Sequence, residues 1–165
     1  MNILQLLQEE LAEEFRVTQK FFKLYPTGKN DYAPHKKSMK LMHLCTHLAD
    51  VFGWFGIMLN TRELDVATAA TPPKMETGAE LMSYMEQKYQ ESISAFEKAD
   101  ERNLQGNWKL AHGDHTIYEW TKYGAMRHSL NQITHHRAQL GVYYRLLGID
   151  VLASYGPTAD DESFG

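Results

Sequence analysis

TKYGAMRHSLNQITHHRAQLGVYYRLLG, residues Thr121–Gly148, is the stretch whose reading decides the fold. Met126, Leu130, Ile133, Leu140, Tyr144 and Leu147 recur at steps of three, four and seven. That spacing lays a single apolar stripe along an α-helix. Gly148 follows directly, placed to take the left-handed backbone conformation that commonly ends a helix. The pattern predicts one long amphipathic helix from about Thr121 to Leu147, which must bury its stripe against other helices.

Three further segments repeat the pattern. Leu4, Leu7, Leu11, Phe15, Thr18 and Phe22 predict a first helix over roughly Asn2–Lys23, after which Pro26, Gly28, Asn30 and Pro34 break the period. Leu41, Leu44, Leu48, Val51, Phe55 and Leu59 predict a second from Ser38 to about Asn60, with His43, His47, Trp54 and Met58 along one edge. Thr77-Gly78-Ala79-Glu80 has capping-box spacing and opens a third, running to about Asn103 with Leu81, Met85, Tyr89, Ile93 and Phe96 inward. Between Leu104 and Trp120 there is no helical period, which leaves room for a small extended hairpin. The expected fold is an all-α antiparallel four-helix bundle in a single domain, residues 1–165, with an irregular tail over about 149–165.

The 165 residues, 43% hydrophobic and 23% charged, suit one globular core. A net charge of −4 gives no concentrated basic surface for nucleic acid, and His35-Lys36-Lys37 is too short a run to supply one. Cys45 is the only cysteine, so an intramolecular disulfide is excluded. Glu9, Glu10, Glu13 and Glu14 are incompatible with a signal peptide, and no apolar run approaches the roughly 18 residues of a membrane span. A cytoplasmic protein without membrane contact is expected.

Candidate chemistry lies in the histidines. His128, Gln132 and His136 follow one another at steps of four, on one side of the last helix. His136 falls inside the apolar stripe, whereas His128 drifts to its flank. An imidazole beside a core must be hydrogen-bonded or metal-bound to offset its desolvation, so both readings stand. Cys45 lies about 200° around the helix from His47, which points to a buried thiol rather than a Cys–His pair. His112 and His115, in irregular chain, are expected to be exposed.

Asn131-Gln132-Ile133-Thr134-His135-His136-Arg137-Ala138-Gln139-Leu140, with Tyr143 to Gly148 behind it, resembles the helix-four signature of the DinB family of damage-inducible-type proteins. Ser38 to Asp50, which contains His43 and His47, resembles the helix-two motif of that family, and Gly148 through Pro157 is similar to the tail of one of its branches. The resemblance spans about residues 35–160. It implies a four-helix bundle with an unusual connection order, often paired as a homodimer, and a divalent metal held by three histidines. His47 matches the first ligand and His136 the last. The middle position is Gln132, where the family usually has histidine.

That departure leaves three arrangements: a two-histidine site completed by Gln132 or water, a site shifted toward His128, or an empty pocket. The metal set carried forward is therefore His47, His136, Gln132 and His128, with nickel or zinc as the ion. The leading expectation is a metal-dependent enzyme acting on a small molecule, a thiol-dependent transferase or hydrolase in which the ion activates a low-molecular-weight thiol or water. The alternative is a non-catalytic small-molecule-binding protein, or a stress-related dimeric scaffold, with a degenerate metal site. His47 and His136 are expected to face one cavity. Arg137 is expected to pair with an acid of a neighbouring helix, Asp50 being one such partner.

Overall fold

The computed structural model describes residues 2–163. Its helices are α1 (Ile3–Lys23), α2 (Leu41–Val51), α3 (Trp54–Asn60), α4 (Gly78–Lys98) and α5 (Lys122–Leu146). α1 packs against α4 and α5, and α2 packs against the same two. α1 and α2 thus occupy opposite corners of a four-cornered bundle, with α3 continuing the α2 corner against α4 and α5. Every member of the α1 stripe is buried, as are Leu41, Leu44, Leu48, Val51, Phe55 and Leu59. No helix among the described residues is long and apolar enough to cross a membrane.

The helix ends follow local chemistry. Asn2 caps α1 by accepting from the Gln5 N–H. Thr77 and Glu80 make both bonds of the capping box at the start of α4. Thr121 accepts from Gly124 N–H at α5, and Gly148 takes φ +75° just beyond its end. α4 stops at Lys98, short of Asn103, and a separate 3₁₀ turn capped by Asp100 covers Glu101–Leu104.

The predicted second helix is divided. It starts at Leu41 rather than Ser38, and at Phe52-Gly53 it tightens into i→i−3 bonds before resuming as α3. The cause is Ser92 of α4. Its hydroxyl donates to Phe52 C=O at 2.6 Å and accepts from Gly56 N–H at 3.1 Å, inserting itself into what would be one rung of the helical ladder. Gly56 permits the approach: a Cβ there would stand 3.2 Å from the Glu91 carbonyl.

The segment without helical period folds as a small sheet. Asn107–His112 (β2) and His115–Thr121 (β3) pair as an antiparallel hairpin turning at Gly113, φ +57°, with a bulge at Leu110/Ala111. Glu63–Asp65 (β1) adds in parallel to β2. The sheet is an addition to an otherwise all-α bundle.

Candidate functional site

α2 and α5 bring His47 and His136 together. Their ring centroids are 4.6 Å apart and their planes meet at 86°. His136 is buried and His47 half-buried beside Trp54, whose ring lies 5.6 Å away, edge to face. Each imidazole borders a different cavity. The larger, about 550 Å³, is lined by His43, Thr46, His47 and Asp50 of α2 and by Pro72 and Met75 of the following loop. The other, about 540 Å³, is bordered by His135, His136, Gln139 and Tyr143. The histidine pair therefore joins two cavities, where one shared cavity was expected.

A chain of side-chain amides fixes the pair. Gln139 reaches His135 through its nitrogen at 3.1 Å, which turns its oxygen toward His136 Nδ1, 3.0 Å away. His136 Nδ1 is then the donor. Nε2 of the same ring lies 2.9 Å from Gln132 Oε1, and a neutral ring with its proton on Nδ1 bonds there once the Gln132 amide is turned to present its N–H. The Gln132 amide also hydrogen-bonds His47. Gln132 thus contacts both imidazoles and covers the His136 nitrogen that would face a metal.

Both rings are held neutral. Burial lowers the His47 pKa to about 4, with His136 adding to the effect and Asp50 and Gln132 opposing it. Burial also lowers His136, against the support of Gln139. Asp50 orients the surrounding wall: it accepts from Trp54 Nε1 at 3.1 Å and from the Tyr84 hydroxyl at 2.6 Å.

Not every expected residue joins this centre. His128 stacks on Trp120 of β3, centroids 5.0 Å apart, and its ring also faces Tyr118 at 6.5 Å. The hairpin, illegible in the helical period, claims it. His43 is exposed, and so are His112 and His115, which pair in register at the hairpin tip. Cys45 is fully buried and its thiol pKa is pushed up by burial. Arg137 does not pair with Asp50. It turns to the other side of α5, where Nη1 lies 2.6 Å from Glu14 Oε2 and Nη2 donates to the Tyr155 hydroxyl at 2.6 Å.

These positions overturn the metal-centred reading. Among the described residues, no three His, Cys, Asp or Glu side chains come together so as to hold a metal ion. The donors at the centre are two imidazoles and a neutral amide, a poor set for nickel or zinc, with one imidazole nitrogen already bonded to that amide. His128, the substitute considered for the missing ligand, is in the aromatic stack instead. Metal-dependent catalysis, and with it a thiol or water activated by a bound ion, has no support in this geometry.

Two solved structures share the fold. A DinB-like protein from Bacillus subtilis superposes with a TM-score of 0.70 at 15% identity, covering 87% of this chain and 93% of that one. A candidate DinB-family member from Exiguobacterium sibiricum gives 0.66 at 17% identity, covering 92% and 95%. No functionally curated protein matches the chain. The DinB family model matches residues 1–163, nearly its whole length, and with the bundle and the helix-two and helix-four histidines in place the chain belongs to the DinB family.

Proposed function

We propose that this protein is a non-catalytic small-molecule-binding member of the DinB family whose former ligand position, Gln132, has turned a metal site into a metal-free recognition site. The observation that carries this reading is the Gln132 amide in contact with two neutral imidazoles. Neutral His47 offers one donor or acceptor to a ligand without the desolvation cost of a charge. The adjoining cavity, about 550 Å³, combines apolar wall from Met42, Met75 and Pro72 with Thr46 and Asp50 and with charged groups of both signs, Asp31, Lys40, Lys74 and Glu76. Such a lining suits a compact molecule with an apolar body and more than one polar group.

The test is ring-resolved histidine NMR on tag-free protein titrated with a panel of small neutral amides, alcohols and heteroaromatics. Saturable shifts of the His47 and His136 signals, lost in His47→Ala with the fold intact, support the reading. Metal-independent turnover of any panel member at this centre contradicts its non-catalytic part, and absence of saturable shifts contradicts the whole.

Self-association is a second part of the proposal. Val142, Leu146 and Tyr155 are 58%, 61% and 62% exposed beside a mostly apolar groove between α5 and the tail. An apolar strip of this kind favours a two-fold homodimer. Sedimentation across micromolar concentrations tests it: Leu146→Lys shifts the protein toward monomer, and a wild-type chain that is monomeric throughout contradicts it.

A further inference from the structure

A separate cavity lies at the opposite end of α3 from the break near the histidines, where the end of α3, the Glu101–Leu104 turn and the start of α5 converge. It holds about 380 Å³ and is lined by Arg62, Arg102, Asn103, Gln105, Asn107 and Lys122. Three of these side chains are cations and none is an acid. Arg102 is already neutralised by Asp100. Among the described residues, neither Arg62 nor Lys122 has a carboxylate within 4.0 Å. The nearby acids are engaged elsewhere, Glu63 by Lys109 and Glu119 by Asn107.

Lys122 breaks local rules in three ways. It is only 8% exposed, although a lysine is seldom buried without a partner. It is the first residue of α5, where the positive end of the helix dipole disfavours a cation. It also feels Arg62, which together with burial lowers its pKa. Its ammonium has a single acceptor, the Leu59 carbonyl at 3.5 Å, which leaves donor capacity unused. One oxyanion would relieve all three penalties. It would pair with Lys122 and Arg62, meet the start of α5, and find amide donors on Asn103, Gln105 or Asn107.

We propose that this cavity binds a phosphate group, either inorganic phosphate or the phosphate of a small monoester. The concave site and the overall charge of −4 favour a small molecule over a nucleic-acid backbone.

The test is isothermal titration of the tag-free full chain in phosphate-free buffer, with inorganic phosphate, glycerol 3-phosphate and a short DNA duplex as separate probes. Saturable binding of inorganic phosphate is expected, and tighter binding of glycerol 3-phosphate would identify a monoester as the preferred source. R62Q, an exposed change whose fold is to be checked by circular dichroism, is expected to weaken binding roughly tenfold by loss of one charge-assisted contact. K122M should abolish it, and K109Q, whose lysine is committed to Glu63, should leave it unchanged. No saturable heat with either phosphate probe, binding unaffected by R62Q, or binding of the duplex alone would overturn the proposal.

Discussion

Acidification should destabilise this protein before its carboxylates begin to titrate, because His47 is folded into a place that rejects its proton. The ring has an ordinary pKa of 6.5 when free and about 4 when folded. Above pH 6.5 it is neutral in both states and its contribution to stability is complete. As pH falls from there toward 4, the unfolded chain takes up a proton that the folded chain does not, so stability is lost over that window. The full span corresponds to roughly 3 kcal/mol, of which about 2 kcal/mol is gone by about pH 5. His136 and His128, also lowered by burial, add losses of the same sign. Carboxylates held low by backbone N–H donors, such as Asp65 and Glu80, lose stability only below about pH 4.5, so the window above it isolates the histidines. Urea denaturation at about pH 7 and pH 5 should show the midpoint falling by about 1 M, for a slope near 2 kcal/mol per molar. His47→Gln should remove most of that difference. A midpoint that does not move, or a His47 ring that titrates near its free value by NMR, would refute the buried neutral pair.

Two further substitutions test the packing that positions the pair. Ser92→Ala removes the hydroxyl bridging Phe52 C=O and Gly56 N–H and should cost about 1–3 kcal/mol in thermal or urea melts; an unchanged midpoint would mean that the α2–α3 break closes without it. Glu14→Leu leaves the Arg137 charge buried without its counter-ion and should cost about 3–5 kcal/mol, while the added Arg137→Met should recover much of the loss. Equal stability of the single and double variants would argue against the ion pair as the source.

Local chemistry carried most of the fold. The Thr77–Glu80 box, the Gly148 stop and the apolar stripes were visible because each depends on residues within a few positions of one another. The approach of His47 to His136 was legible from two stripes and two family-like segments. What stayed hidden depends on distant chain. Ser92 breaks a helix 40 positions earlier. Arg137 finds Glu14 from 123 positions away; the α1 period puts Glu14 one heptad after Leu7 on the buried face, but a local period does not name its partner. The parallel pairing of Glu63–Asp65 with β2, and the Trp120 platform that draws off His128, required the hairpin to be folded first. By residue type alone Gln132 is a weakened metal ligand. Its role as the partner of His136 Nε2 follows only once Gln139 and His135 are seen to fix the tautomer.

Calorimetric titration of zinc and nickel into tag-free wild type, Gln132→His and the Gln132→His/His47→Ala double variant tests the central claim most directly. A third imidazole one turn before His136 would complete the three-histidine set on helices already in position. The account predicts no stoichiometric site in wild type, a saturable one-to-one site in Gln132→His, and its loss in the double variant. Tight one-to-one metal binding by wild type that His47→Ala abolishes would contradict it.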